Sequence, residues 1–237
     1  MGLVQRVLSN AKERRERILS GKVNCIPSPF KTFRYDFPGV ELGTYYLVSG
    51  GAKASKSKIA NFLFLFNTVL YAYHHPDLVR LKIFYALLEE KAENITGKFI
   101  CYLLYILSDK KIRIDIKTFK SVDKDRVLPK EVLDLLGTLE YQAILKFFEE
   151  HVEWIPDRNP TGIYHTLEKY AEKHGTIHRK KVEGYDKEVF DYYEPDDPDE
   201  YVLCMIDHVG LISTERGMDL RTSIKKLSEY LKIVRNK

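Results

Sequence analysis

The sequence predicts an α/β fold: a mostly parallel sheet with helices packed on its faces. Short β-rich runs alternate with segments of helical apolar period from residue 38 onward, the pattern of strand–helix–strand units. The most hydrophobic runs are continuous rather than alternating, as in strands covered on both faces. Two of them pass directly into chemically loaded turns, one glycine-rich and one acidic. In open α/β sheets the carboxyl ends of the strands are where ligands bind. With 237 residues, 44% hydrophobic and 30% charged, the chain has ordinary globular usage and enough length to bury a core. Disorder over most of its length is excluded. No apolar run reaches the roughly 20 residues that a membrane span needs, and the charged segment 1–22 has no signal-peptide core. Cys25, Cys101 and Cys204 are odd in number and widely spaced. They exclude a disulfide framework or a cysteine zinc site and fit a reducing compartment, so a cytoplasmic location is expected. The net charge of +4 is compatible with a nucleic-acid partner but too small to argue for one alone.

The elements follow in order. Leu3, Val4, Val7, Leu8 and Ala11 recur at helical spacing, a basic run follows at 12–17, and Gly21 stops the helix. Such a helix is either a solvated terminal element or a linker that docks on a neighbouring subunit through its apolar stripe. Pro27 and Pro29 then break the chain. Residues 1–29 are accordingly assigned to an N-terminal helix with a proline-containing linker, and residues 30–237 to the α/β domain. Residues 44–48 (TYYLV) are expected as a buried strand and residues 56–73 as an apolar helix. A second buried strand is expected at 79–88 and an amphipathic helix at 91–107. The alternating IRIDIKTF run at 112–119 predicts a strand, and Pro129 opens a helical stretch to about residue 150. Residues 152–155 read as a strand, 160–173 as a helix and 194–200 as an acidic loop. The most hydrophobic strand covers 201–207, and a last helix is capped by Asp219 or Thr222.

Residues 50–57 read Gly-Gly-Ala-Lys-Ala-Ser-Lys-Ser. Gly50, Lys56 and Ser57 fall on the fixed positions of GxxxxGK[ST], the phosphate-binding P-loop. A strand delivers the chain to a turn whose backbone N–H groups point at phosphates, and the following helix adds its positive end. Gly50, Gly51, Ala52, Lys53, Ala54, Ser55, Lys56 and Ser57 are therefore the candidate nucleotide-binding residues. Lys56 reaches the phosphates and the Ser57 hydroxyl ligates Mg²⁺. Ser55 stands where the pattern has its second glycine, and a plain Gly-rich β–α turn is the alternative.

A second acid completes such a site. Asp207 closes the apolar run Val202-Leu203-Cys204-Met205-Ile206, and a carboxylate so near a core strand needs a cationic partner. A metal ion fills that role; a capping aspartate in the next turn is the alternative. The strand before residue 89 also ends in acids, Glu89-Glu90. Glu89 is the candidate base or water-orienting group, with Glu90 next to it as runner-up. Helix-dipole complementation is the alternative.

Together these elements resemble the RecA-like ATPase core of DnaB-type replicative helicases, particularly those encoded by phages. PGVELGTYYLVSG (38–50) is similar to that family's lead-in strand, and GAKASKSK (51–58) to the body of its P-loop. FYALLEE (84–90) resembles the strand carrying its catalytic glutamate. VLCMIDHVGLI (202–212) resembles its second acidic strand and the turn beyond, and DLRTSIKKLSEYLKIVRNK (219–237) the helix that follows. The resemblance implies ATP and Mg²⁺ as cofactors, with Lys56 and Ser57 on phosphate and metal, Glu89 polarising water and Asp207 completing the metal site. It implies single-stranded DNA as partner, a hexameric ring in the full protein, and a primase or loader as a further contact, in the cytoplasm of a host cell if phage-encoded. His208 and Gly210 stand where the bacterial enzymes have tyrosine and glutamine. The family's sensor strand, DNA-binding loops and arginine finger lie beyond residue 237, so the domain is expected to be incomplete at its C-terminus and weak in hydrolysis. The rivals are a non-catalytic or truncated P-loop assembly module and a P-loop phosphotransferase, the latter lacking an arginine-rich lid. His74-His75 reads as a surface turn, and His174 and His178 as a helix end rather than a zinc site. Arg113, Lys117, Lys120, Lys124 and Arg126 read as a solvated face before a nucleic-acid track. Arg179-Lys180-Lys181 reads the same way, and Arg216 and Arg221 are weaker candidates for reaching a neighbour or DNA.

Overall fold

The computed structural model describes residues 2–181 and 189–235. The first half runs α1 (Leu3–Leu19), β1 (Ile26–Pro27), β2 (Gly39–Val40), α2 (Lys56–Ala60), α3 (Asn67–His74), β3 (Arg80–Leu87), α4 (Ala92–Leu107), α5 (Ile116–Phe119), α6 (Lys130–Leu136) and α7 (Leu139–His151). The second half runs β4 (Val152–Ile155), α8 (Pro160–Lys173), β5 (Gly175–Lys180), β6 (Val189–Pro195), β7 (Glu200–Asp207) and α9 (Leu220–Arg235). A π-helical segment, Asn61–Phe66, joins α2 to α3 with helical backbone at both junctions.

The central sheet has the order β4-β3-β7 and is parallel throughout. In its register Ala86 lies beside both Ile155 and Ile206, and Leu87 beside Asp207. Successive side chains of a strand point to opposite faces, and the two faces of β3 are sorted accordingly. Leu81, Ile83 and Tyr85 pack with α3, α4 and α7 through Val69, Phe99, Leu103 and Phe148. Phe84, Ala86 and Leu88 pack with α8 and α9 through Ile163, Leu167 and Leu227. The result is a helix–sheet–helix sandwich in which Phe99 and Phe148 stack at 4.4 Å between centroids. Each such fully buried large side chain contributes about 1.5–3 kcal/mol.

Expectation and structure agree for α1, β3, α4, β4, α8, β7 and α9. Asp219 caps α9 by accepting the Thr222 N–H at 2.7 Å. Four segments differ. Residues 44–48 are irregular and join no ladder among the described residues. Tyr46 and Val48 lean on the core, whereas Tyr45 and Leu47 are 44% and 74% exposed. β-propensity describes side chains that suit a pleated surface and does not by itself supply a paired edge. The alternating run at 112–119 is irregular until Asp115 caps the short α5, accepting the Thr118 N–H at 2.8 Å. That local cap outcompetes the strand, and Ile116 and Phe119 settle over Gly97 of α4. The stretch after Pro129 is two helices, α6 and α7, parted at Gly137 and Thr138. The antiparallel hairpin β5–β6 has no counterpart in the sequence pattern; residues 182–188 between its strands lie outside the described residues.

None of the residues of α1 is buried, and Leu3, Val4, Val7 and Leu8 are each more than half exposed. Polar contacts hold its C-terminal part. Arg17 and Lys22 each approach the nearly buried Asp199 carboxylate at 2.7 Å, and Arg14 meets Glu41 at 2.9 Å. Arg80, at the start of β3, pairs with Asp197 and lies 3.6 Å from Asp199. Burial opposes the charge on Asp199, but Lys22 and Arg17 hold its carboxyl below the ordinary range.

Candidate functional site

The loop from Gly50 to Ser55 leads from the irregular segment 44–49 into α2. Lys53 and Ser55 both adopt left-handed backbone, with φ of 61° and 60°. Ser55 sits at the helix start, and its carbonyl already accepts the Ile59 N–H at 3.0 Å. A left-handed φ is the conformation for which glycine is the default; the second glycine of the P-loop pattern is thus a backbone requirement that Ser55 meets with strain. Gly50 and Gly51 carry no such demand. A side chain at 50 would meet Ala54 Cβ at an ordinary 3.4 Å, and one at 51 would meet nothing within 4 Å.

The Lys56 ammonium folds back over this loop and donates to the carbonyls of Gly50 at 3.0 Å and Gly51 at 2.8 Å. A cation is therefore held at the mouth of the turn by two neutral carbonyl dipoles. Those are weaker partners than a phosphate, since charge-assisted pairs are roughly twice as strong as hydrogen bonds between neutral groups.

Asp207 ends β7, beside Leu87 of β3, and the Asp207–His208 peptide is cis. Glu89 follows two residues after that same Leu87, so both carboxylates belong to the carboxyl edge of adjacent parallel strands. Glu90 is engaged: Lys98 of α4 donates to it at 2.6 Å. Glu89 is exposed and makes no ion pair with a described residue. The two glutamates left open by sequence are distinguished in this way.

Three residues at this edge carry no sequence signal of their own. Arg158, in the turn after β4, donates to the Leu88 carbonyl, and its own carbonyl accepts the Ser213 N–H at 2.6 Å. It ties the turns after β3, β4 and β7 together; only its place after a third strand could have drawn notice. Tyr85 and Asn61 are 1% and 3% exposed, and the Tyr85 hydroxyl donates to Asn61 Oδ1 at 3.0 Å. Burial first, and then the nearby Asp207 carboxylate, push the Tyr85 hydroxyl well above its usual range, so it stays a neutral donor. Beyond β7, Glu215 accepts the Thr161 N–H at 2.9 Å and pairs with Lys226 of α9, which also donates to Thr161 Oγ1 at 3.0 Å.

The remaining sequence candidates fall outside this edge. His174 stacks on Tyr170 at 4.0 Å and His178 on Tyr192 at 4.2 Å, separate arrangements on α8 and β5. Arg113 lies 5.7 Å from the Tyr105 ring, and residues 120–127 are exposed. Arg216 and Arg221 are exposed as well.

Among the described residues no group of three or more His, Cys, Asp or Glu side chains forms a metal centre. A hard cation held by one hydroxyl, one carboxylate and a ligand's own phosphates needs none. The oxygen donors of Ser57 and Asp207 suit Mg²⁺, which keeps several waters and binds through few protein groups. Comparison of the chain with models of known protein families, with curated proteins and with solved structures gives no match. What the fold itself defines is an α/β chain with a three-stranded parallel sheet and acids at its carboxyl edge.

Proposed function

We propose that this chain is a RecA-like P-loop NTPase domain, the ATP-binding and ATP-hydrolysing motor of a DnaB-type replicative helicase that acts on single-stranded DNA as a ring. The observation that carries it is the Lys56 ammonium, gathered over the Gly50–Gly51 turn at the head of a helix. On the same sheet, adjacent strands end at Asp207 and just before Glu89. In this scheme Lys56 exchanges two carbonyls for phosphate oxygens, and the backbone N–H groups of residues 51–57 face the same anion. Ser57 and Asp207 would hold Mg²⁺, which when bound neutralises charge on the phosphate oxygens. Glu89, exposed and free of the pairing that occupies Glu90, orients the attacking water.

Lys56→Ala tests the assignment. Binding of a fluorescent ATP analogue should weaken about 10-fold or more, as expected for a hydrogen-bonded charge. ATP turnover, stimulated by single-stranded DNA, should be lost. Absence of nucleotide binding by the unaltered chain at millimolar concentration refutes the assignment. A second reading, an assembly module of low nucleotide affinity, draws on Ser55 with its left-handed backbone. It predicts binding without DNA-stimulated turnover.

A further inference from the structure

Beneath the loop, Asn61 and Tyr85 meet at a buried polar point, and the half-buried Asp207 lies close by. Asn61 descends from the helix that follows the loop, at the first residue of its π-helical segment. Tyr85 rises from β3 and donates to it at 3.0 Å. Asp207 stands on β7. In the parallel register Tyr85 lies beside Met205 and Leu87 beside Asp207. Alternation therefore places Tyr85 and Asp207 on the same face as diagonal neighbours, a separation that an aromatic side chain spans. That is also the face on which Asn61 is buried with the helix.

The chemistry of the point is constrained. A tyrosine hydroxyl has one proton to give; here it goes to the Asn61 amide oxygen at 3.0 Å, while the Asp207 carboxylate lies near enough to compete for it. Asn61 can resolve the competition by turning its amide through half a revolution. Its NH₂ then donates to the tyrosine oxygen, and the hydroxyl proton passes to the carboxylate as a hydrogen bond. π-helical turns inside α-helices occur frequently at functional sites, and this one sets the only described polar residue that reaches Tyr85 from the P-loop helix.

We infer that Tyr85, held by Asn61, is a positioning residue that orients the Asp207 carboxylate toward the cation bound with nucleotide. Partners that orient a metal-binding carboxylate raise metal affinity about 10–100-fold. The inference rests on the P-loop assignment, and the test separates the two. The unaltered chain, Tyr85→Phe and Asn61→Ala are titrated with a fluorescent ADP analogue in EDTA and then in rising Mg²⁺, with circular dichroism melts to verify folding. Tyr85→Phe should leave affinity in EDTA unchanged while the Mg²⁺ midpoint rises about tenfold; Asn61→Ala should raise it by less. A loss that is merely structural would weaken binding equally with and without Mg²⁺, and that outcome overturns the inference. So does a Tyr85→Phe midpoint equal to that of the unaltered chain while nucleotide still binds, in which case the P-loop assignment stands. If Tyr85→Phe does not fold, an unmoved midpoint in Asn61→Ala overturns it instead. No nucleotide binding by the unaltered chain defeats both.

Discussion

Glu215 offers a quantitative test of how the turn after β7 is held. Its carboxylate accepts the Thr161 N–H at 2.9 Å at the start of α8 and pairs with Lys226 of α9. Burial alone would raise its carboxyl, but Lys226 and Thr161 outweigh that and bring it down from 4.5 to about 2. A shift from 4.5 to about 2 corresponds to a ceiling of about 3.4 kcal/mol at about 1.36 kcal/mol per unit. The pair is partly open to water, with side chains 24% and 18% exposed, so screening leaves about 1.5 kcal/mol. Glu215→Gln keeps the shape and an acceptor but removes the charge, and in a chain this long it should lower Tm by about 3–6 °C at pH 7. The folded value is depressed, so this stabilisation is complete above the unfolded value and fades as pH falls from about 4.5 toward about 2. By pH 3 only a small part of it remains, and the Tm gap between the two proteins should shrink in proportion. Melts monitored by circular dichroism at pH 7, 5, 4 and 3, with a Glu215→Gln/Lys226→Met double-mutant cycle, measure both size and source. A gap that does not change between pH 7 and pH 3, or a cycle with no coupling, refutes the reasoning.

Two further outcomes follow from the geometry. Ser55→Gly removes a left-handed strain of about 1–2 kcal/mol but adds about 0.4–1 kcal/mol of unfolded-chain freedom. Tm should rise by about 1–3 °C and nucleotide affinity should hold or improve; a fall in Tm would contradict the backbone argument. Asp199→Asn withdraws the acid that joins Arg17, Lys22 and Arg80. It should speed tryptic cleavage in α1 by about 5–30-fold, matching about 1–2 kcal/mol of easier local opening, while the core melts nearly as before. Unchanged cleavage would show that α1 is held by something other than this carboxylate.

Much of the architecture was legible because its strands are dense in apolar side chains. VRLKIFYALL and YVLCMI leave little choice but burial between two layers, and both appear in the sheet within a residue of expectation. The positions of Lys56, Asp207 and Glu89 were legible for a different reason: short local patterns set them at strand and helix ends. The rest depended on contacts distant in sequence. Nothing in IRIDIKTF announces that Asp115 will cap a turn over Gly97, some way back on α4. Tyr85 and Asn61 read as ordinary core positions until the fold sets them against each other. The separation of Glu89 from Glu90 required Lys98, whose side chain returns from the second turn of the next helix.

The lead-in to the Gly50–Ser55 loop shows how a turn can be fixed without the hydrogen-bonded ladder expected of it. Tyr46, before the loop, and Phe64, after it, lie 5.1 Å apart between centroids, and both contact Phe37, at 5.5 and 6.1 Å. The Tyr46 hydroxyl accepts the Glu41 N–H at 2.9 Å and donates to the Gly39 carbonyl at 3.2 Å. Glycine 39 belongs to β2, which is paired with β1 at the edge of the core. The loop is thus closed by an aromatic cluster whose polar end is anchored in a separate small sheet. Offset and edge-to-face aromatic contacts each add about 0.5–1.5 kcal/mol beyond area burial, enough together to hold a short turn at both ends. With its ends fixed by side chains, the left-handed backbone at Lys53 and Ser55 is imposed from outside the loop. That is why a serine can stand where local preference alone calls for glycine.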